Sequence, residues 1–147
     1  MPNLNFEFYK AIIEKNLNSL NKLKENIDNI ESNKFLEEAK QYYLNTIDIL
    51  KKIEEEYSIE VNEFLKELNE IYTECIFYPI RFYFEKINHI MENRIKTIDK
   101  FDIARKYYEK MKNFIDVLEN EFKDQEIITE LEEIKTLAEK LKSKFEY

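Results

Sequence analysis

With 147 residues, the chain has the length of one domain, and we expect residues 1–147 to form a single helical domain. It has no Gly and only two Pro, which argues against the phosphate loops and nucleophile elbows of common nucleotide-binding enzymes and hydrolases. The net charge of −8 argues against nonspecific binding to nucleic acid, because that binding depends on neutralising phosphates. Helix-forming residues are spread along the whole length, so the expected fold class is all-α.

The N-terminal third of the chain carries an amphipathic helical pattern. Apolar residues recur at spacings of three and four from Phe6 to Leu50. The letters ESNK at 31–34 weaken this pattern, so residues 5–57 form either one bent helix or two consecutive helices. Ser58 follows Tyr57 and is predicted to be the N-cap of the next helix.

The next predicted helix is very long. From Ile59 to about Lys123 the only strong stop signal is Pro79, which we expect to bend the helix. Between Ile71 and Phe84 this helix is apolar nearly all round and needs cover from several sides, which we expect a second copy of the chain to supply. The residues predicted at this dimer interface are Ile71, Tyr72, Cys75, Ile76, Phe77, Ile80, Tyr83 and Phe84.

A final helix is predicted after Asp124, which is a candidate N-cap, and its apolar face reaches Phe145. The predicted architecture is therefore an antiparallel bundle of three helices, of which the second is very long and kinked.

Basic residues are concentrated in the middle of the long helix. Residues 81–112 hold nine Lys or Arg against five Asp or Glu, although the whole chain is acidic. At 100° per residue, one group lies opposite the apolar stripe, namely Lys96, Lys100, Lys106 and Lys110. This row indicates either a contact with anionic lipid or the ordinary wet face of a helix. Arg94 and Arg105 lie beside the stripe, where Asp102 can pair with Arg105 at i,i+3 in a structural charge network.

The segment YPIRFYFEKINHIMENRIKTIDKFDIARKYYEKM resembles the second helix of BAR domains of the amphiphysin and yeast Rvs class. In that family a Pro-Ile pair precedes an aromatic turn, a basic segment, a Leu-x-Asp-Tyr-Asp-like element and Ala-Arg. The matching positions here are Pro79, Ile80, Arg94, Ile98, Phe101, Asp102, Ala104 and Arg105, whereas Lys100 replaces the first Asp of the tripeptide. Only about 45 residues follow the motif, so the resemblance implies a minimal member with a short third helix.

The resemblance implies a curved antiparallel homodimer that binds anionic phospholipid membranes, senses or induces their curvature, and acts in endocytosis or vesicle trafficking. Higher-order assembly of such dimers on membranes is a further expectation. The alternative is a helical dimeric scaffold that binds proteins and does not bind lipid, in keeping with the acidic balance. Residues Lys96, Lys100, Lys106 and Lys110 are the predicted membrane contact.

No residues are predicted to be catalytic, to bind a cofactor or to bind a metal. The acidic pair Glu56 and Glu60 lacks the accompanying Glu-x-x-His element of a di-iron bundle, and His89 is interpreted as a surface or interface residue. Cys75, the only cysteine, lies among large apolar neighbours and is expected to be a buried thiol. The N-terminal segment has no secretion-signal pattern, so the expected location is cytoplasmic and peripheral to a membrane.

Overall fold

A computed structural model of the protein describes residues 2–92 and 99–145, with the side chains of 5–92 and 99–145. These residues form α-helices and one 3-10 helix without any strand, which confirms the all-α prediction. The helices are α1 (Pro2–Leu23), the 3-10 helix (Lys24–Asn29), α2 (Ser32–Tyr57), α3 (Asn62–Glu92), α4 (Asp99–Glu121) and α5 (Gln125–Lys142).

The chain divides into two compact units, which we call unit 1 (Met1–Phe77) and unit 2 (Tyr78–Tyr147). Unit 1 contains α1, the 3-10 helix, α2 and the first part of α3. The start of α1 meets the end of α2, because the rings of Phe6 and Tyr57 lie 5.4 Å apart in an edge-to-face contact. Tyr43 of α2 stacks on Tyr72 of α3 with a ring separation of 4.3 Å. The core of this unit includes Leu20, Phe35, Leu50 and Leu68, all almost fully buried.

Unit 2 consists of the last part of α3 together with α4 and α5. The ring of Tyr83 on α3 lies 5.8 Å from that of Tyr107 on α4. Nearer the end of α3, the carbonyl oxygen of Met91 accepts a hydrogen bond from Lys100 Nζ, at the start of α4. The two helices are therefore antiparallel. α5 returns along α4, since Tyr108 contacts Phe145 and Glu119 pairs with Lys135.

The prediction of one helix from Ile59 to about Lys123 is wrong. Along a continuous helix, Tyr83 and Tyr107 would be separated by about 36 Å, at about 1.5 Å per residue, whereas their rings are in contact at 5.8 Å. α3 ends at Glu92 and α4 begins at Asp99. Pro79 lies inside α3 and is buried. The chain thus forms shorter helices that pack against each other.

The smaller boundaries were predicted with mixed success. The weak point at 31–34 is real, since α2 begins at Ser32 after the 3-10 helix, and Asp124 caps α5 by accepting a hydrogen bond from the backbone N–H of Glu126 at 2.9 Å. Ser58 is not an N-cap. It ends α2 in the left-handed conformation (φ 52°, ψ 35°), and its N–H donates to the carbonyl of Glu54. This is the C-cap geometry that glycine usually supplies, and the chain contains no glycine.

Candidate functional site

The segment predicted to form a dimer interface is largely covered by the chain itself. Six of its eight residues are at most 6% exposed: Tyr72, Cys75, Ile76, Phe77, Ile80 and Tyr83. Ile71 and Phe84 are half-buried. The premise that one chain cannot cover this segment is therefore wrong. Dimerisation remains a prediction, but the need to cover this apolar segment no longer supports it.

The predicted lysine row does not form one solvent-facing surface. Lys106 and Lys110 are exposed on α4 as expected. Lys100 differs from the prediction, because it is half-buried and its ammonium group donates to the Met91 carbonyl at 3.0 Å. There it satisfies an acceptor in the last turn of α3 and places a positive charge at the negative end of that helix. Lys96 lies outside the described residues.

Several lysines of unit 2 lie over aromatic rings. Lys86 Nζ is 4.8 Å from the ring centroid of Phe82 and 5.3 Å from that of Tyr107, and Lys110 Nζ is 6.0 Å from that of Tyr83. An exposed cation–π contact is worth about 0.5–1 kcal/mol. A lysine near an anionic membrane gains about 1 kcal/mol. A lysine that leaves its ring to meet lipid would therefore gain little.

Carboxylates share the exposed side of α4 with these lysines. Asp99, Asp102 and Glu109 are exposed within the first three turns. The predicted charge network is present in part, since Arg105 donates to Asp102 at 3.2 Å with both side chains about half exposed. Such an exposed pair contributes about 0–1 kcal/mol. Arg94 lies outside the described residues. The exposed part of α4 therefore mixes both signs of charge.

Cys75 and His89 lie in different environments. The Cys75 thiol is fully buried and donates to the carbonyl of Leu20 at 3.3 Å, and burial raises its pKa to about 12. The thiol form therefore predominates at neutral pH, and the nucleophilic thiolate is disfavoured. His89 is exposed on α3. Within the described ranges, no three His, Cys, Asp or Glu side chains are grouped so that they could hold a metal ion.

A different surface stands out at one end of unit 1, where α1 begins, α2 ends and α3 begins. Phe8 is 63% exposed, Ile59 39% and Phe64 38%. Two contacts join the start of α1 to the end of α2, namely the Phe6–Tyr57 ring contact and a hydrogen bond of 3.0 Å from the Tyr9 hydroxyl to Glu56. α3 begins at Asn62, shortly after α2 ends at Tyr57. We call this surface, formed by residues 6–9 and 54–64, the acidic end of unit 1.

The acidic end combines these apolar side chains with unbalanced negative charge. Between positions 54 and 63 there are five glutamates and no Lys or Arg: Glu54, Glu55, Glu56, Glu60 and Glu63, all exposed. Glu56 raises the pKa of Tyr9, chiefly through their hydrogen bond. Lys10 is the nearby cation on α1, and its Nζ lies 5.5 Å from the centroid of the Phe6 ring.

Helix stability does not account for three of these glutamates. Glu54, Glu55 and Glu56 occupy the last turn of α2, which contains no basic residue. The C-terminus of a helix carries partial negative charge, so carboxylates there are unfavourable by a few tenths of a kcal/mol or more. Lys51 and Lys52, four positions before Glu55 and Glu56 respectively, offset part of this cost, but the helix end itself does not favour these carboxylates.

Sequence analysis missed this surface, although part of its signal was visible. The letters EEEYSIEVNE at 54–63 form a run of glutamates without a cation, interrupted by Ile59. The exposure of Phe8 could not be predicted from the sequence, because periodicity alone does not decide whether Phe6 or Phe8 faces the core.

The comparisons with known proteins give no relative: no family model, curated protein or solved structure matches the chain. No helix in the part of the chain that the structure describes is long and apolar enough to cross a membrane.

Proposed function

We propose that this protein is a non-enzymatic helical module that binds another protein through the acidic end of unit 1. The observation that supports this proposal is the exposure of Phe8, Ile59 and Phe64 at a single end of the unit, among five exposed glutamates. The proposal corresponds to the protein-binding alternative considered from the sequence.

The energetics of burial favour a protein partner at this surface. Full burial of a Phe or Ile side chain contributes about 1.5–3 kcal/mol. A complex with a micromolar dissociation constant has a binding free energy of about 8 kcal/mol. Partial burial of three such side chains can therefore supply a substantial share of it. Aromatic side chains are also enriched among the residues that dominate binding energy at protein interfaces.

The test is a pull-down from the protein's own cells with three forms of the chain. The first is the unmodified protein, the second carries Phe8→Ser and Phe64→Ser, and the control carries Leu44→Ser and Leu137→Ser. Leu44 and Leu137 are also large apolar residues that are exposed, but they lie elsewhere on the molecule. We expect a partner retained by the unmodified and control forms and lost from the Phe8/Phe64 variant. If no retained protein distinguishes these two variants, the proposal is wrong.

Membrane binding by a BAR-like homodimer is the second candidate. The local excess of basic residues in 81–112 favours it. Its described and exposed lysines Lys106 and Lys110 would contribute about 1 kcal/mol each, less the repulsion of neighbouring carboxylates. That is too little for firm binding by one chain, so this candidate depends on dimerisation and on Lys96.

Liposome co-sedimentation separates the two candidates. We expect at most weak sedimentation with phosphatidylserine-containing vesicles at about 0.15 M salt, and no change on Lys106→Glu with Lys110→Glu. Firm, salt-sensitive binding that this double reversal abolishes would favour the membrane candidate. A BAR-like dimer further requires a mass in solution of about twice 18.1 kDa, measurable by light scattering.

A further inference from the structure

We infer that the acidic end of unit 1 binds a basic amphipathic helix of a partner protein. The inference rests on the proposed function and names the chemistry of the partner. Its first basis is charge complementarity, since the five exposed glutamates at 54–63 outnumber the lysines within one helical turn of them, Lys51, Lys52 and Lys66. A partner segment with several Lys or Arg side chains would neutralise them and would also be attracted from a distance.

The second basis is the exposed apolar area at the same end of unit 1. A wholly basic, hydrated segment would neutralise the glutamates but leave Phe8, Ile59 and Phe64 in water. An amphipathic segment offers both features, because its apolar stripe covers these side chains while its flanking basic residues reach the glutamates. The interface then has the usual arrangement of an apolar centre with a polar rim.

A helix suits this surface better than an extended segment. Strand addition requires a free sheet edge, and the described residues of unit 1 contain helices without any strand. A helix satisfies its own backbone hydrogen bonds, so it can dock through side chains alone. Its apolar residues at i, i+3, i+4 and i+7 form the single stripe that the argument needs.

The placement of the glutamates supports a role in binding. Glu54, Glu55 and Glu56 are unfavourable at the partially negative end of α2, so substitution by Lys gains there about what it loses by repulsion from Lys51 and Lys52, and the helix should remain folded. A basic partner helix would replace this unfavourable arrangement by attraction across the interface. Charge reversal here is thus expected to remove binding without unfolding the protein.

The probe is a fluorescein-labelled peptide of about 18 residues, built from Leu at helical i, i+3, i+4 and i+7 positions and Lys elsewhere. A second peptide of the same pattern has Glu in place of Lys. Anisotropy titration should show micromolar binding of the Lys peptide to the unmodified protein and no binding of the Glu peptide. Failure of the Lys peptide to bind would overturn the inference.

Two variants with equal changes of charge test where the peptide binds. Glu54→Lys with Glu55→Lys and Glu60→Lys alters the acidic end, whereas Glu25→Lys with Glu31→Lys and Glu37→Lys alters exposed positions elsewhere in unit 1. We expect a loss of affinity of about tenfold or more for the first variant and a much smaller loss for the second. Equal losses would show general attraction to an acidic protein and would overturn the inference. Circular dichroism checks that both variants remain helical.

The apolar contribution is tested with Phe8→Ser and Phe64→Ser against the Leu44→Ser and Leu137→Ser control. The first pair should weaken peptide binding by about tenfold, since interface aromatics carry much of the binding energy, and the control pair should have little effect. An unchanged affinity in the Phe8/Phe64 variant would overturn the inference.

Two further outcomes separate this inference from the proposed function. If the Lys peptide does not bind but the pull-down partner still depends on Phe8 and Phe64, the inference is wrong and the proposed function stands. If light scattering gives a dimer that the Phe8/Phe64 variant dissociates, the occupant is a second copy of the chain, and the basic-helix inference is overturned.

Discussion

The two units differ in how they distribute charge. Unit 1 contains nine Lys or Arg against sixteen Asp or Glu, whereas unit 2 contains fourteen against fifteen. Most of the net charge of −8 therefore belongs to unit 1. In unit 2, lysines lie over aromatic rings or donate to a helix end, as Lys86 and Lys100 do. In unit 1, the glutamates at 54–63 outnumber the lysines that flank them in the sequence, Lys51, Lys52 and Lys66. The two units thus differ in net charge, and the negative excess of unit 1 includes these exposed glutamates.

The largest expected effects come from paired truncations, one in each core. Leu50 of unit 1 and Leu118 of unit 2 are almost fully buried. Leu50→Ala and Leu118→Ala should each lower the free energy of unfolding by about 2–5 kcal/mol, because the lost contacts leave a cavity. Denaturant titration measures this loss.

Hydrogen exchange on the same two variants tests whether the units are separate in stability. If they are, amide exchange in Leu50→Ala should accelerate chiefly in unit 1, and in Leu118→Ala chiefly in unit 2. Equal acceleration throughout the chain in both variants would mean one cooperative structure, and the comparison of two units would not extend to their stability.

A smaller effect is expected from a polar group in the core of unit 1. Asn16 is 9% exposed, and its buried Nδ2 has no hydrogen-bond partner among the described residues. Such an unsatisfied donor costs about 1–3 kcal/mol. Asn16→Leu, of similar size, should raise the free energy of unfolding by a comparable amount. Asn18→Leu, at an exposed position of the same helix, is the control and should change it little. Destabilisation by Asn16→Leu would contradict the prediction.

The smallest predicted effect, between pH 8 and about pH 10, is a loss of stability in alkali. Burial raises the Cys75 pKa from 9.0 to about 12. Above about pH 9 the unfolded chain loses the thiol proton while the folded chain keeps it, so the unfolded state becomes favoured. The stability present below pH 9 should fall by about 1.4 kcal/mol for each pH unit up to the folded pKa.

Tyr9 acts in the same direction, because its pKa is also raised, so Tyr9→Phe is the matched background for the pH experiment. Denaturant titrations at pH 8 and about pH 10 should show a smaller loss when Cys75→Ala is added to that background. An equal loss with and without the thiol would contradict the assignment to Cys75.

Sequence predicted the helical class and the local boundaries better than the tertiary arrangement. Apolar periodicity correctly predicted a helical chain, and the Asp124 cap follows from local chemistry, whereas the continuous helix from Ile59 to about Lys123 and the Ser58 N-cap were wrong. The reversal of direction between α3 and α4 could not be predicted in this way. The letters NRIKTI at 93–98 contain neither Gly nor Pro. The two helices pack through long-range contacts: Tyr83 of α3 contacts Tyr107 and Phe114 of α4, which follow it by more than twenty positions. Local patterns do not predict such contacts.

The candidate site was predicted less well for a related reason. Helical spacing placed Lys100 on the same face as Lys106 and Lys110, but it gave no information about the Met91 carbonyl that binds its ammonium group. The acidic end of unit 1 joins residues from three helices, and no single helical pattern contains it. A surface of this kind depends on which helix ends meet, as Phe6 and Tyr57 do.

Ser58 also bears on the entropy of the denatured chain. It is the single described residue with positive φ, so the described connections between helices contain almost no left-handed backbone. The fold can therefore be built without glycine, and the sequence contains none. Each glycine would widen the range of backbone conformations open to the unfolded protein and raise the entropy lost on folding. The unfolded state of a glycine-free chain has fewer accessible backbone conformations. Folding therefore loses less conformational entropy, which the burial of apolar side chains in the two cores has to offset.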